Sequence, residues 1–218
     1  MKYRKKIVDG HEVVYSPDWI NDLESEIHFN WYYHQAELVY SNCTRDQKIL
    51  EIGIGTGLLS DLLKKRGWDL ITLDIDEEKR PDIVGNAVDF DYLANSIDVV
   101  LAFEIFEHIP YSTFEKVVQK LAEAKVQAVY FSLPWNEREL LDFSFKMPKI
   151  HRKNWRLSIG RGEIATTAHF WELSKRGKNI SRKKLVSLPT IMDLFERHGF
   201  VLTEKKKVGL IQYFSADK

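Results

Sequence analysis

An α/β fold built on a doubly wound, mostly parallel sheet of seven strands is what this chain of 218 residues predicts, and three observations carry the prediction. Short apolar runs rich in Val, Ile and Leu alternate with amphipathic helical stretches, the order that builds parallel strands joined by crossover helices. The run ILEIGIGTGLLSDLLKKRG, Ile49 to Gly67, reads as the end of a buried strand, a tight turn at Gly53, Gly55 and Gly57, and a helix from Leu58. Near its end the chain has a helix, PTIMDLFERHGF, stopped by Gly199, then two β-runs that form a hairpin about Gly209.

In order, Asp18 to Tyr40 reads as an aromatic-rich amphipathic helix that packs across the ligand edge of the sheet. Strands follow at Lys48–Ile52, Asp69–Leu73, a short piece near Ile83, Ile97–Ala102 and Val126–Ser132, with helices from Leu58 and over Tyr111–Ala124. The last two strands are Phe200–Val208 and Leu210–Phe214. Residues 1–218 thus read as a single domain: helix 18–40, a core over 48–135, a basic insertion over 136–186 after strand five, and a helix and hairpin over 187–218. An apolar content of 44% suffices for one full core. Cys43, the single cysteine, allows no internal disulfide; with no signal-like apolar segment after MKYRKK, the expected compartment is the cytoplasm. No apolar run reaches membrane-spanning length, so no stable membrane insertion is expected. Oligomeric state is not legible.

The glycine spacing separates the possible ligands. A dinucleotide turn needs G-x-G-x-x-G, but here the spacing is G-x-G-x-G with Leu58 where the third glycine belongs, which disfavours a nicotinamide oxidoreductase. No lysine follows to reach a phosphate, and Glu51 beside the turn would repel an anion and suit a cation. On these residues the stretch resembles the E-x-G-x-G-x-G motif of class I S-adenosylmethionine-dependent methyltransferases. The resemblance implies a Rossmann-like sheet with an antiparallel last strand, and S-adenosyl-L-methionine as cofactor. It implies that Glu51, Gly53, Gly55 and Gly57 line the cofactor, with Ile75 and Phe103 beside it. Asp74, ending the next strand, is placed to accept from the ribose hydroxyls. In VGNAVDFDYLANSIDVV either Asn86 or Asp89 meets the adenine amino group, with Ala87 and Phe90 against the ring; Asp89 is favoured because Asn86 stands where many relatives have aspartate.

After the fourth strand, FEIFEHIP places Glu104, Glu107 and His108 at i, i+3 and i+4, on one face if a helix begins there. Two carboxylates and an imidazole form a partial shell for a divalent metal, and His169 in TTAHFWEL is the candidate fourth ligand. This E-x-x-E-H followed by a distant H-x-x-E is similar to the small-RNA 3′-terminal 2′-O-methyltransferases, and the E-x-x-E-H part is shared with ubiquinone-pathway O-methyltransferases. The resemblance implies that Glu104, Glu107, His108 and His169 hold a divalent metal, Mg or Mn. Without a metal, His108 or His169 would be the general base, and Glu104 would bond backbone near the cofactor.

Net charge is zero, yet residues 145–184 hold twelve Lys or Arg (Lys146, Lys149, Arg152, Lys153, Arg156, Arg161, Lys175, Arg176, Lys178, Arg182, Lys183 and Lys184) against Glu163 and Glu172. That segment reads as a lid for an anionic acceptor, with Phe145, Trp155, Phe170 and Trp171 available to stack on bases or sugars or to anchor the lid. The expected activity is O-methylation of a hydroxyl on an anionic small molecule, glycan or lipid-linked acceptor. RNA ribose 2′-O-methylation is the alternative. A non-catalytic nucleic-acid-binding protein on the same scaffold is the alternative of another class, but it would carry a broken glycine turn or lack the ribose acid.

Overall fold

The computed structural model describes residues 4–15, 23, 25–147, 150–161, 163–174 and 185–218. A hairpin of β1 (Arg4–Val8) and β2 (His11–Tyr15) precedes α1 (Glu26–Asn42). The core then runs β3 (Lys48–Ile52), α2 (Leu58–Lys65), β4 (Asp69–Asp74), β5 (Ile83–Val84), β6 (Val99–Phe103), α3 (Tyr111–Glu123) and β7 (Ala128–Pro134). A ribbon of β8 (Glu137–Met147) and β9 (Ile150–Gly160) follows, then β10 (Glu172–Ser174), β11 (Leu185–Ser187), α4 (Leu188–Arg197), β12 (Val201–Val208) and β13 (Ile211–Asp217).

The central sheet has seven strands in the order β12-β13-β7-β6-β3-β4-β5. From β7 to β5 all neighbours are parallel, while β13 runs antiparallel to both β7 and β12. Because side chains alternate across a strand, Ile49, Val99, Leu101, Ala128 and Tyr130 bury into one layer with Leu59 and Leu63 of α2 and Val39 of α1. Leu50, Val100, Ala102, Val129 and Phe131 bury into the other with Phe114 and Val117 of α3 and Leu194 and Phe195 of α4. Burial on both faces explains why these strands read as unbroken apolar runs. Phe131 stacks on Phe195 at 5.1 Å and on Phe214 at 5.0 Å, tying α4 and the terminal hairpin to the sheet. Ser187 caps α4 by accepting from the Thr190 amide at 3.3 Å.

Several boundaries differ from the sequence reading. Helix α1 begins at Glu26 and runs to Asn42; the expected start at Asp18 lies outside the described residues. The fourth and fifth strands of the sheet start two residues later than expected, at Val99 and Ala128, because Ile97 and Val126 donate backwards to Tyr92 and Leu121 and close the preceding turns. The β1–β2 hairpin went unread, although Asp9-Gly10 between KKIV and EVVY is a two-residue turn signal, and both residues adopt positive φ, 49° and 77°. The insertion, read as a basic lid with no strands assigned to it, contains the antiparallel β8–β9 ribbon and a parallel β10–β11 pair. Among its basic residues, Lys149, Lys175, Arg176, Lys178, Arg182, Lys183 and Lys184 lie outside the described residues.

Candidate active site

Strand order reverses between β3 and β6, so the segments leaving their carboxyl ends diverge and open the crevice where ligands bind in open α/β sheets. The glycine turn leaves β3, and Glu104 follows β6. Gly53, Gly55 and Gly57 have φ of 77°, 56° and 80°, which L side chains rarely adopt. At Gly53 a Cβ would also lie 1.9 Å from Ile105 Cδ1, so the two crevice walls meet there only because this residue has no side chain.

Asp74 organises the turn: one carboxylate oxygen accepts from the Asp76 amide at 2.8 Å, and the other from the Ile54 amide at 3.1 Å and from Lys79 Nζ at 3.0 Å. The Asp74–Lys79 pair is nearly buried. Glu51 is buried on β3 with Oε2 lacking a partner, and burial pushes its carboxyl up to about 8. Asn86 spends its side-chain oxygen on the Val88 and Asp89 amides at 3.0 Å and donates its amide to Asp89 at 2.7 Å. That makes Asn86 the turn-forming residue and leaves Asp89, the acid, the more exposed of the two. Phe90 is buried in the core with its ring edge-on to Tyr92 at 5.0 Å, which leaves little of it for a ligand. Ile75 and Phe103 are half-buried, Phe103 lying 6.1 Å from the Tyr213 ring. Tyr32 of α1 reaches Thr56 of the glycine turn at 3.2 Å, so this helix does cross the cofactor edge.

The second wall departs from the expected helix. Phe106–His108 is a single 3₁₀ turn, and Glu104 precedes it with φ of 54°, a strained conformation for a residue with a side chain. Ser132 of β7 spans Glu104, accepting from its amide at 3.1 Å and donating to its carboxylate at 2.8 Å. Burial pushes Glu104 up to about 7. Glu107 is 0% exposed, no protein N–H or hydroxyl reaches its carboxyl oxygens, and its hydrogen-bond partner is the Glu104 carboxyl; burial first, then Glu104, raises it well above the usual carboxylate range.

Two imidazoles lie beside the Glu107 carboxyl. His108 Nδ1 bonds the Ala168 carbonyl at 3.2 Å; a carbonyl only accepts, so Nδ1 carries the proton and Nε2 the lone pair. His169 Nδ1 bonds Glu172 at 2.8 Å, which fixes the same tautomer there. The rings stand 4.9 Å apart and nearly perpendicular. Burial, then the neighbouring His169, pulls His108 down to about 4. Donor atoms of Glu107, His108 and His169 all lie within 4.8 Å of one another; Glu104, expected with them, is outside that group of three, its carboxyl bonded to Ser132 and to Glu107.

Sequence reading passed over the residues that hold this cluster. Glu172, buried, also accepts from Asn136 at 2.6 Å and the Ala165 amide at 2.8 Å; against the cost of burial these bonds keep it below the usual carboxylate range. The Phe170 amide donates to the Glu107 carbonyl at 2.8 Å. Trp171, read as able either to stack on a ligand or to anchor the insertion, does the second: it stacks on Phe114 at 5.3 Å and donates to the Ile109 carbonyl at 3.1 Å. The β1–β2 hairpin spans the crevice, with Arg4 paired to Asp76 and Glu78, and Asp9 bonded to Thr113 and Lys116 of α3.

Comparison with known proteins agrees with this geometry. The model of the methyltransferase domain family matches residues 32–205. A curated relative, ribosomal RNA small subunit methyltransferase A of Metamycoplasma arthritidis (strain 158L3-1), is 29% identical over 96 residues, 41% of this chain; the match spans about a third of that relative, 37% of its length. Among solved structures, magnesium protoporphyrin IX methyltransferase from Synechocystis PCC 6803 with bound SAM has a TM-score of 0.56 at 12% identity, over 94% of this chain and 86% of that one. The glycopeptide N-methyltransferase MtfA complexed with S-adenosyl-L-homocysteine has 0.54 at 13%, over 94% and 99%. The small RNA methyltransferase HEN1 has 0.59 at 12%, over 87% of this chain but 25% of that one. At such identity the structural likenesses speak for the fold. Fold, glycine turn and family model converge: the chain belongs to the methyltransferase domain family.

Proposed function

We propose that this enzyme methylates a hydroxyl of an anionic acceptor at the cluster of Glu104, Glu107, His108 and His169, with a divalent cation held there. The observation that carries the reading is the grouping of the fully buried Glu107 carboxyl with two imidazoles whose Nδ1 atoms are tied down, leaving both Nε2 atoms free to donate lone pairs. Glu107 shares a hydrogen bond with Glu104 and no other donor reaches it, and a cation among one carboxylate and two Nε2 donors would offset the cost of ionising it. Glu107, His108 and His169 would hold the ion; when bound, it supplies Lewis-acid activation of a hydroxyl and positions it.

The chain's own residues do the rest. Glu51 receives the cationic end of the methyl donor and gives up its proton as it does so. Asp74 accepts from the ribose hydroxyls once Lys79 swings away, and Asp89 meets the adenine amino group. The acceptor oxygen attacks the sulfonium methyl in line, a C–O bond forming as the S–C bond breaks and S-adenosylhomocysteine leaves. Glu104, raised to about 7 and braced by Ser132, takes the hydroxyl proton. His108, neutral at physiological pH, supports a second reading in which its Nε2 is the base and no metal is used.

The excess of basic residues over 145–184 supports an anionic acceptor: a phosphorylated small molecule, a glycan or a lipid-linked intermediate, with an RNA end as the alternative. Methyl transfer from labelled S-adenosylmethionine to acceptor panels, with and without chelator, tests the reading. Loss on chelation and rescue by Mn are expected; full activity after chelation favours His108 as base, and a labelled nitrogen rather than oxygen overturns O-methylation.

A further inference from the structure

The β8–β9 ribbon leaves a continuous apolar face bare. In an antiparallel pair, residues directly opposite share a face, and the register sets Leu141 opposite Leu157 and Phe143 opposite Trp155. All four are exposed, Trp155 at 73% and Phe143 at 57%, and Phe145, Ile159 and Leu140 are exposed with them. The ribbon belongs to no larger sheet, so nothing on the described chain covers that face. A monomeric protein rarely presents so many contiguous large apolar side chains to water unless a partner receives them.

Charge narrows what the partner is. The three acids of the ribbon, Glu137, Glu139 and Asp142, fall in its first six residues; from Phe143 to Arg161 there is no acid, while Lys146, Lys149, Arg152, Lys153, Arg156 and Arg161 all lie there. A second copy would bring the same cations against themselves. Nucleic acid would satisfy the cations, and bases would stack on Phe143 and Trp155, but Leu140, Leu141, Leu157 and Ile159 offer no stacking surface. Aromatic and aliphatic side chains interleaved with cations fit an interface that is apolar just beneath an anionic layer.

We propose that the β8–β9 ribbon docks this enzyme onto an anionic lipid surface, inserting Phe143, Phe145 and Trp155 at headgroup depth while the flanking Lys and Arg engage the headgroups. No helix of the described chain is long and apolar enough to cross a membrane, so the attachment is peripheral. The root of the ribbon is also the root of the cluster. Asn136, adjoining β8, donates to Glu172, which holds His169, and the Arg161 amide after β9 donates to the Asn136 carbonyl. Docking by the ribbon therefore sets the active-site crevice beside the surface.

The test uses the full chain without methyl donor or acceptor, so it stands apart from the proposed reaction. Sedimentation with vesicles of phosphatidylcholine alone, or mixed with phosphatidylglycerol, is measured across a range of salt. Binding to the anionic vesicles on the order of tenfold tighter than to neutral ones, weakening with salt, is expected. Phe143→Ser with Trp155→Ser, and separately Lys146→Glu with Lys153→Glu, should each abolish the preference, while Trp155→Phe retains it. Unchanged S-adenosylhomocysteine binding in these variants shows that the fold survives. Equal binding to both vesicles, no binding to either, or retention by both double variants overturns the proposal. So does single-stranded RNA binding in place of vesicle binding, or dimers in sedimentation velocity that the Phe143→Ser, Trp155→Ser variant dissolves.

Discussion

Glu51 sits buried beneath the glycine turn with one oxygen unpartnered, and burial holds its proton to about pH 8 instead of 4.5. Between those values the unfolded chain has ionised this carboxyl and the folded one has not, so folding stability falls as pH rises and the loss is complete above about 8. His108 acts oppositely but only between about 4 and 6.5, where the unfolded imidazole takes a proton that the folded one refuses. From about 6.5 to about 8 the ligand-free protein should therefore lose stability, and Glu51→Gln should reduce that slope while the raised Glu104 and Glu107 carboxyls keep the remainder; thermal melts against pH measure it. Lys79 offers a second check at this scale. It occupies Asp74 in a nearly buried pair, so Lys79→Met should destabilise the ligand-free protein by about 1–3 kcal/mol, yet tighten S-adenosylhomocysteine binding severalfold in calorimetry by removing a competitor. Unchanged affinity would mean that Asp74 is not the ribose acid. Glu51 and Asp74 were legible in the sequence because their positions follow from strand ends and turn spacing. Lys79 and Glu172 were not, since each acts through a partner that only the fold brings near.

Elements with a strong period were read correctly in kind, and those that depend on tertiary contacts were not. Strands β3, β6 and β7 are buried on both faces and announce themselves as apolar runs. The Phe106–His108 turn carries no periodic signal: Pro110 limits it to three residues, and Glu104 lies before it with positive φ, so the helical face of three side chains does not form and His169 joins Glu107 and His108 from another element. The β8–β9 ribbon was missed because its apolar residues lie on no core, so alternation was masked by charge. At the glycine turn, sequence and structure agree. Gly53→Ala should cost about 2–4 kcal/mol, combining a left-handed backbone with overlap on Ile105, and should weaken S-adenosylhomocysteine binding. Adding Ile105→Ala should recover only part of this loss in denaturant titrations, because the backbone strain persists; full recovery would mean that the strain is negligible.

Across the whole molecule, a net charge of zero conceals a strongly basic segment over 145–184 and an equally acidic remainder. On the proposed reading, the basic segment serves the acceptor and the glycine turn with Glu51 and Asp74 serves the methyl donor. Raising ionic strength should therefore raise KM for the acceptor several-fold and leave KM for S-adenosylmethionine nearly constant; parallel changes in both would count against an anionic acceptor. The central claim concerns the group of Glu107, His108 and His169 at the switch point of the sheet, and calorimetric titration of Mn into the S-adenosylhomocysteine-loaded chain tests it most directly. One ion per chain is expected, with binding abolished in Glu107→Gln and His169→Ala while affinity for S-adenosylhomocysteine holds. No heat of Mn binding to the wild-type chain, or equal binding to both variants, would contradict it.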